Sequence, residues 1–162
     1  MDGIVLINKE KNCTSRDVVN QVSKILKTKK IGHTGTLDPI ATGVLVLCIG
    51  KATKLVEVIT SYDKEYEAEV ILGIKTDTKD ITGKILKEEK AIISKKNIEE
   101  CLKKMIGTYN QTVPIYSAVK INGKKLYEYA RNNEEIKLPK RKVTIKELKL
   151  ISDITYEKEK TK

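Results

Sequence analysis

The first third of the chain places short apolar runs next to stretches with helical periodicity. Four apolar residues, Ile4 to Ile7, are followed by a polar cluster, which predicts a short buried strand. Thr14 or Ser15 can then cap a helix with Asp17 in its first turn. The apolar positions of that helix are Val18, Val19, Val22, Ile25 and Leu26.

Three further elements are predicted between residues 44 and 73. Val44 to Ile49 is continuously apolar, which indicates a central strand buried on both faces. Lys51 to Thr60 is expected to be helical, with Leu55, Val56 and Ile59 turned inward. Lys64 to Gly73 alternates charged and less polar side chains, which is typical of a half-exposed strand.

The second half of the chain continues the alternation of strands and helices. A polar turn at Thr76 to Lys84 leads to a strand near Ile85, and Ser94 caps a surface helix that stops at Gly107. An Asn122-Gly123 turn precedes a short helix, and alternation resumes at Val143. We therefore predict an α+β fold with a mixed, largely antiparallel sheet flanked by helices, in which residues 1–162 form one domain or most of one.

The charge balance makes nucleic acid the leading partner class. The chain has 32 basic and 22 acidic residues, a formal charge of +10, and such a charge attracts polyanions. Only three of the basic residues are arginines, so 32 − 3 = 29 are lysines, and a compositional bias of the source is an alternative explanation.

Cysteine spacing and hydropathy favour a cytoplasmic protein without a membrane anchor. Cys13, Cys48 and Cys101 are far apart and form no C-x-x-C pair, so we expect reduced, buried thiols and neither a metal site nor disulfides. The longest apolar stretch is much too short to cross a bilayer, and the first residues lack the apolar region of a signal peptide.

The most informative stretch is a loop predicted from Ile31 to Gly43, between the basic end of a helix and a buried strand. It contains a single carboxylate, Asp38, next to Pro39, which restricts the backbone of the preceding residue. Leu37 and Ile40 are expected to anchor the loop in the core. Three glycines can take positive φ or let the backbone approach a ligand closely: Gly32, Gly35 and Gly43.

A firmly held carboxylate suits nucleophilic catalysis, but two other interpretations need weighing. Asp38 and Thr42 could simply build a tight turn, since both residue types are common in turns. A phosphate-binding loop does not match, because Gly50-Lys51 is followed by Ala52 where that motif requires serine or threonine.

The loop resembles the catalytic loop of the TruB family of pseudouridine synthases, which has the form G-H-x-G-x-L-D-P-x-A-x-G. Every fixed position of that form is present between Gly32 and Gly43. Further stretches that resemble the family, in the same order, are GKATKL, KEYEAEVILGIKTDTKDITG and PIYSAVKINGKKLYEYAR. The resemblance covers nearly the whole chain.

The resemblance implies a function and a set of roles. Asp38 would be the nucleophile, Tyr66 would stack on the target base, and His33 would contact the RNA loop opened by base flipping. The enzyme would be an isomerase that converts uridine 55 in the TΨC loop of tRNA to pseudouridine, as a monomer and with no cofactor or metal. The sequence leaves open whether Asp38 attacks the sugar or the base.

The chain departs from the family pattern in two places. Lys9 matches the lysine of a K-P-x-G-x-T-S opening, but Glu10 replaces its proline and Asn12 its glycine. Asparagine tolerates the left-handed backbone, so the turn can survive. We expect Lys9 to have no catalytic role and to be a solvated charge or a structural contact.

The second departure concerns length. The family continues into a segment resembling S-x-G-T-Y-I-R, whose arginine pairs with the aspartate, and into a small carboxy-terminal RNA-binding domain. Neither is found in the 162 residues. We therefore expect an amino-terminal part of the catalytic domain that has little or no activity by itself.

Two other functions stay open. One is a noncatalytic RNA-binding or RNA-folding module that keeps the loop architecture. The other is a relative that modifies ribosomal RNA under the direction of a guide RNA, within a ribonucleoprotein.

Overall fold

The computed structural model describes residues 1–117, 119–132, 134–157 and 160–161. The chain divides into two compact units, Met1–Glu67 and Ala68–Lys162, which are described separately. Helices and strands alternate in both, which confirms the predicted α+β class. All strand pairs in the described ranges are antiparallel.

The first unit is a three-stranded sheet with a long helix and a short helical segment. Its elements are β1 (Gly3–Lys9), α1 (Ser15–Ile25), β2 (Ile31–His33), β3 (Gly43–Ile49), a 3-10 helix (Gly50–Leu55) and α2 (Val56–Thr60). The strand order is β1-β3-β2, so β3 is central as predicted. β1 pairs with β3 along its whole length, from Gly3 opposite Ile49 to Lys9 opposite Gly43.

The core of this unit lies between α1 and one face of β3. Val18 and Val19 of the helix pack on Leu45 and Leu47 of the strand, and these four side chains are buried. Burial on both faces, expected for the whole of β3, holds for its end at Cys48 and Ile49. Val44 at its start is 66% exposed, so the expectation was wrong there.

The start of α1 follows the prediction closely. Thr14 is the N-cap, its hydroxyl accepts the backbone N–H of Asp17, and the Asp17 carboxylate accepts the backbone N–H of Thr14. This reciprocal arrangement is a capping box and satisfies two backbone donors. The hydrogen bond from the Thr14 hydroxyl to Asp17 also lowers the pKa of that carboxyl group.

β1 forms where it was predicted, but its burial was predicted wrongly. Ile4 and Leu6 are 47% and 66% exposed, because only one face of this strand is covered.

Three further local predictions were wrong. Residues Ile31–His33, predicted as loop, form β2 because they pair with β3. Leu55, predicted to be inward, is 46% exposed, while Val56 and Ile59 are half-buried. The strand predicted at Lys64 to Gly73 is not formed: residues 63–71 belong to no helix or strand, because alternation alone supplies no pairing partner.

The second unit consists of paired short strands and two helices. Its elements are β4 (Ile74–Thr76), β5 (Ile85–Glu88), α3 (Lys95–Met105), β6 (Gly107–Thr112), β7 (Lys120–Ile121), β8 (Lys124–Lys125), α4 (Leu126–Arg131), β9 (Lys140–Ile145), β10 (Tyr156–Glu157) and β11 (Lys160–Thr161). The pairs are β4 with β5, β6 with β9, β7 with β8 and β10 with β11.

The turn and cap predictions in this unit are confirmed. Asn122 and Gly123 have φ of 51° and 80°, as the two central residues of a type I′ hairpin turn require. The Ser94 hydroxyl accepts the backbone N–H of Asn97 and caps α3. Within the described ranges, no helix has the length and apolar character needed to cross a membrane.

The three cysteines differ in burial, although all were expected to be buried. Cys48 is buried, Cys13 is half-buried and Cys101 is exposed, so the expectation was wrong for Cys101, which lies on the surface helix α3.

Candidate active site

The loop that contains Asp38 connects β2 to the central strand β3. Asp38 is exposed, and its carbonyl accepts the backbone N–H of Ala41 at 3.0 Å, which closes a four-residue turn. Pro39 occupies the second position of that turn, where its fixed φ is favourable. The aspartate side chain is therefore held at the surface, at the start of a rigid turn.

The residue before Asp38 is fixed by a buried serine 22 positions earlier. Ser15, 2% exposed at the first position of α1, accepts the backbone N–H of Leu37 at 2.9 Å and donates its hydroxyl to the Leu37 carbonyl at 3.2 Å. The Leu37 side chain packs against the core of the unit, as predicted. Both the backbone and the side chain of Leu37 are thus attached to the folded core.

The residue after Asp38 is fixed from the turn between β1 and α1. The Pro39 carbonyl accepts the backbone N–H of Asn12 at 2.8 Å and the Lys9 ammonium at 3.5 Å. The same ammonium donates to the carbonyls of Glu10 at 2.8 Å and Cys13 at 2.9 Å. Lys9 is 1% exposed, so it is a structural contact, and the alternative of a solvated charge was wrong.

Lys9, Asn12 and Ser15 together form what we call the loop clamp. They hold the backbone of Leu37 and Pro39, the two neighbours of Asp38, and leave the aspartate side chain in solvent. Asn12 has φ of 64°, so it takes the left-handed conformation at the position where the family pattern has glycine. The turn is therefore kept despite the substitutions at positions 10 and 12.

The three glycines of the loop differ in whether another residue could replace them. Gly43 has φ of 127°, a conformation that strains other residues. A side chain at Gly32 would come within 2.9 Å of Val56, so the close approach there is to the protein itself. A side chain at Gly35 would meet only open space. Ile40, predicted to anchor the loop, is 40% exposed and does not do so.

His33 is the last residue of β2, and its ring orientation follows from one hydrogen bond. Its Nδ1 lies 2.8 Å from the Gly35 carbonyl oxygen. A carbonyl oxygen can only accept, so Nδ1 is the donor of this hydrogen bond. The ring is half-buried.

Tyr66 lies in the same unit but outside any regular element. Its side chain is 74% exposed, within the segment 63–71. Among residues 1–67, all of which are described, no hydrogen bond joins it to Asp38 or His33. Its role in base stacking stays a prediction.

Sequence reasoning missed the structural role of Ser15 in the loop. Ser15 was considered only as a possible cap, whereas Thr14 is the cap and Ser15 holds Leu37. The signal was available in the T-S pair of the family's opening pattern, which Thr14 and Ser15 match.

Across the described residues, no group of three or more histidine, cysteine or acidic side chains could hold a metal ion.

Fold and loop define a class: an α+β protein that presents a pre-positioned, solvent-facing carboxylate. Comparison with known proteins gives the family. Residues 23–160 match the model of the TruB family pseudouridylate synthase (N terminal domain). The chain belongs to the TruB family, which confirms the resemblance noted in its loop.

Curated relatives carry the same assignment. The tRNA pseudouridine synthase B of Fusobacterium nucleatum subsp. nucleatum is 51% identical over 151 residues, covering 93% of this chain and 53% of that protein. The protein of the same name from Bacillus cereus is 50% identical, covering 94% and 50%. The Bacillus licheniformis protein is 46% identical, covering 99% and 53%. The chain thus spans about half the length of these relatives.

One solved structure is also similar. A chain in the crystal structure of a Cbf5-Nop10-Gar1 complex is 26% identical, with a TM-score of 0.49, over 73% of this chain and 31% of that chain. The family assignment rests on the sequence matches.

Proposed function

We propose that residues 1–162 form the amino-terminal part of the catalytic domain of a tRNA pseudouridine synthase. Asp38 is its nucleophile, and its substrate is uridine 55 in the TΨC stem-loop of tRNA. The protein is cytoplasmic and monomeric, and the reaction uses neither a cofactor nor a metal. One observation carries the proposal: Asp38 is exposed while the backbone on both sides of it is clamped.

The chemistry explains why this geometry matters. The bond between the sugar C1′ and base N1 breaks, the base rotates, and a bond between C1′ and C5 forms, while the C5 hydrogen leaves as a proton and N1 gains one. Such a reaction needs a carboxylate at a fixed position, because ordering a mobile attacking group in the transition state makes the activation entropy unfavourable. The loop clamp removes that disorder before the substrate binds.

The exposure of Asp38 fits a substrate that must be flipped out of a stacked loop. An extruded nucleotide reaches only groups that face solvent, and a flat ring can then hold the base by stacking. Tyr66 is exposed and can supply that ring. His33 has its Nδ1 bound to the Gly35 carbonyl, which leaves Nε2 for the contact with the RNA.

The proposal also covers how much of the reaction this chain performs. Its 162 residues contain no segment resembling S-x-G-T-Y-I-R. In the family this segment supplies the arginine that pairs with the aspartate, so the chain alone is proposed to have little or no activity.

The test joins this chain to the part of the Fusobacterium nucleatum relative that lies outside the match, because the matched parts are 51% identical. Turnover is measured as tritium release from tRNA labelled at C5 of uridine. The hybrid protein should form pseudouridine, and Asp38→Asn should abolish turnover while tRNA binding persists. The exposed, isosteric control Glu57→Gln should leave turnover unchanged.

Two results would contradict the proposal. One is an Asp38→Asn hybrid that still turns over, which would remove Asp38 from the chemistry. The other is a folded wild-type hybrid that binds tRNA and releases no tritium, as a noncatalytic RNA-binding module would. Full turnover by residues 1–162 alone would overturn only the expectation about the isolated chain.

A further inference from the structure

The pairing of β6 with β9 forms a two-stranded ribbon with two different faces. The register places Thr108 opposite Thr144, Asn110 opposite Lys142, and Thr112 opposite Lys140. Directly paired residues of an antiparallel ladder project to the same side, and residues two apart along a strand do so as well. These three pairs therefore share one face of the ribbon.

We call this side the basic face. Its six residues are all exposed, and they are Thr108, Asn110, Thr112, Lys140, Lys142 and Thr144. The opposite side is partly covered: Gly107, Val143 and Ile145 are half-buried, whereas Tyr109, Gln111 and Arg141 are exposed. All six residues of the basic face are exposed, so it is the more fully exposed side of the ribbon.

The basic face carries positive charges and no negative charge. The strands GTYNQT and KRKVTI contain no acidic residue, although the chain has 22. Among the described residues, neither Lys140 nor Lys142 forms an ion pair with a carboxylate. The other four residues are neutral and can donate hydrogen bonds, with the Thr108 and Thr144 hydroxyls 2.8 Å apart at one end.

The spacing of the two lysines suits a repeating anion. Residues two apart on a strand are separated by about 6.5 Å, which is comparable to the separation of neighbouring phosphates along one nucleic-acid strand. Ammonium groups and neutral side-chain donors are the groups that bind phosphate and sugar oxygens. A surface with mixed positive and negative charges would keep the protein equally soluble, so solubility does not explain the absence of acidic residues.

From this arrangement we infer that the basic face binds the sugar-phosphate backbone of RNA, with Lys140 and Lys142 on neighbouring phosphates. The inference rests on the proposed function, because that function identifies RNA as the ligand. It assigns the contact to the β6–β9 ribbon of the second unit, whereas Asp38 belongs to the first. It is a contact that positions the RNA without reading its sequence.

The test measures binding of a fluorescent RNA hairpin with the sequence of a TΨC arm to this chain, by anisotropy over a range of salt concentrations. Lys140→Gln with Lys142→Gln should weaken binding and reduce the slope of log affinity against log salt by roughly 1.4 to 1.8, for two lost phosphate contacts. The control, Lys103→Gln with Lys104→Gln on exposed positions of α3, removes the same charge, 10 − 2 = +8. Its slope should change by less than half as much.

A second comparison removes one charge from each face of the same strand. Lys142→Gln should lower the slope by about one contact, whereas Arg141→Gln, which lies opposite Gln111 on the other face, should leave it nearly unchanged.

Equal losses in the ribbon and α3 variants would overturn the inference and leave the proposed function standing, because general charge attraction would then explain binding. A wild-type chain with no salt-dependent RNA binding would overturn this inference. Turnover by the hybrid protein described above would decide the proposed function independently.

Discussion

Replacing Ser15 by alanine tests whether the loop clamp holds the loop that contains Asp38. The substitution removes a hydroxyl that is 2% exposed, accepts the Leu37 N–H at 2.9 Å and donates to the Leu37 carbonyl at 3.2 Å. Alanine is compatible with the first turn of a helix, so α1 itself should form normally. The damage should be confined to the attachment of residue 37.

The size of the effect follows from the groups left unpaired. Leaving a buried donor or acceptor without a partner costs about 1–3 kcal/mol, and the better helix propensity of alanine returns up to about 0.7 kcal/mol. The difference is about 0.3–3 kcal/mol. The middle of that range, about 1–2 kcal/mol, raises the population of the open loop about 5-fold to 30-fold. Because Leu37 precedes Asp38, the aspartate should become mobile together with it.

Amide hydrogen exchange followed by NMR measures this opening residue by residue. The Leu37 amide should exchange about 5-fold to 30-fold faster in Ser15→Ala, while the amide of Leu47 in the central strand should change less. Ser61→Ala is the matched control, because the Ser61 hydroxyl is exposed and bonds only to Val58 in its own helix end. It should change stability by less than about 0.5 kcal/mol. Unchanged exchange of Leu37 in Ser15→Ala would refute the clamp.

Three further predictions concern other parts of the protein. Lys9→Met should lower the free energy of unfolding in urea by about 1–3 kcal/mol, because three carbonyls lose the Lys9 ammonium as a donor, whereas the exposed Lys11→Met should not; equal effects would contradict this. Iodoacetamide should modify the exposed Cys101 before Cys48, because burial raises the pKa of the Cys48 thiol and blocks access; mass spectrometry of the digested protein reads the order. The hydrogen bond from the Thr14 hydroxyl lowers the pKa of Asp17, so the capping box stabilises α1 fully at pH values above the ordinary Asp pKa. This stabilisation is lost as the pH falls through the lowered pKa of Asp17. An NMR titration in which the Asp17 amide did not respond to acid would oppose this.

Several elements could be predicted from the sequence because their causes are local. The apolar run of β1, the Thr14 cap with Asp17 three residues later, and the Asn122-Gly123 turn each depend on neighbouring residues only. Asp38 was selected as the candidate nucleophile in the same way, since its loop pattern is contiguous, and its role stays a prediction. These predictions needed no knowledge of distant parts of the chain.

The predictions that failed concern residues whose state depends on distant partners. β2 exists because Ile31–His33 pairs with β3, and residues 63–71 have a strand-like pattern but no ladder. Ile40 and Leu55 are apolar and yet exposed, which composition does not reveal. Pairing and burial are properties of the whole unit, so periodicity alone cannot assign them.

The sequence by itself determined the family, the position of the aspartate and the excess of positive charge. Only the tertiary structure decided how the aspartate is held, because the groups that fix it lie 22 to 30 positions away in the chain. Lys9 is the clearest case: a lysine at the end of a strand is ordinarily solvated, and only the fold brings the distant Pro39 carbonyl to its ammonium, next to the local carbonyls of Glu10 and Cys13. Hydrogen bonds between distant segments are set by the packing of α1 on the sheet, which no local pattern specifies.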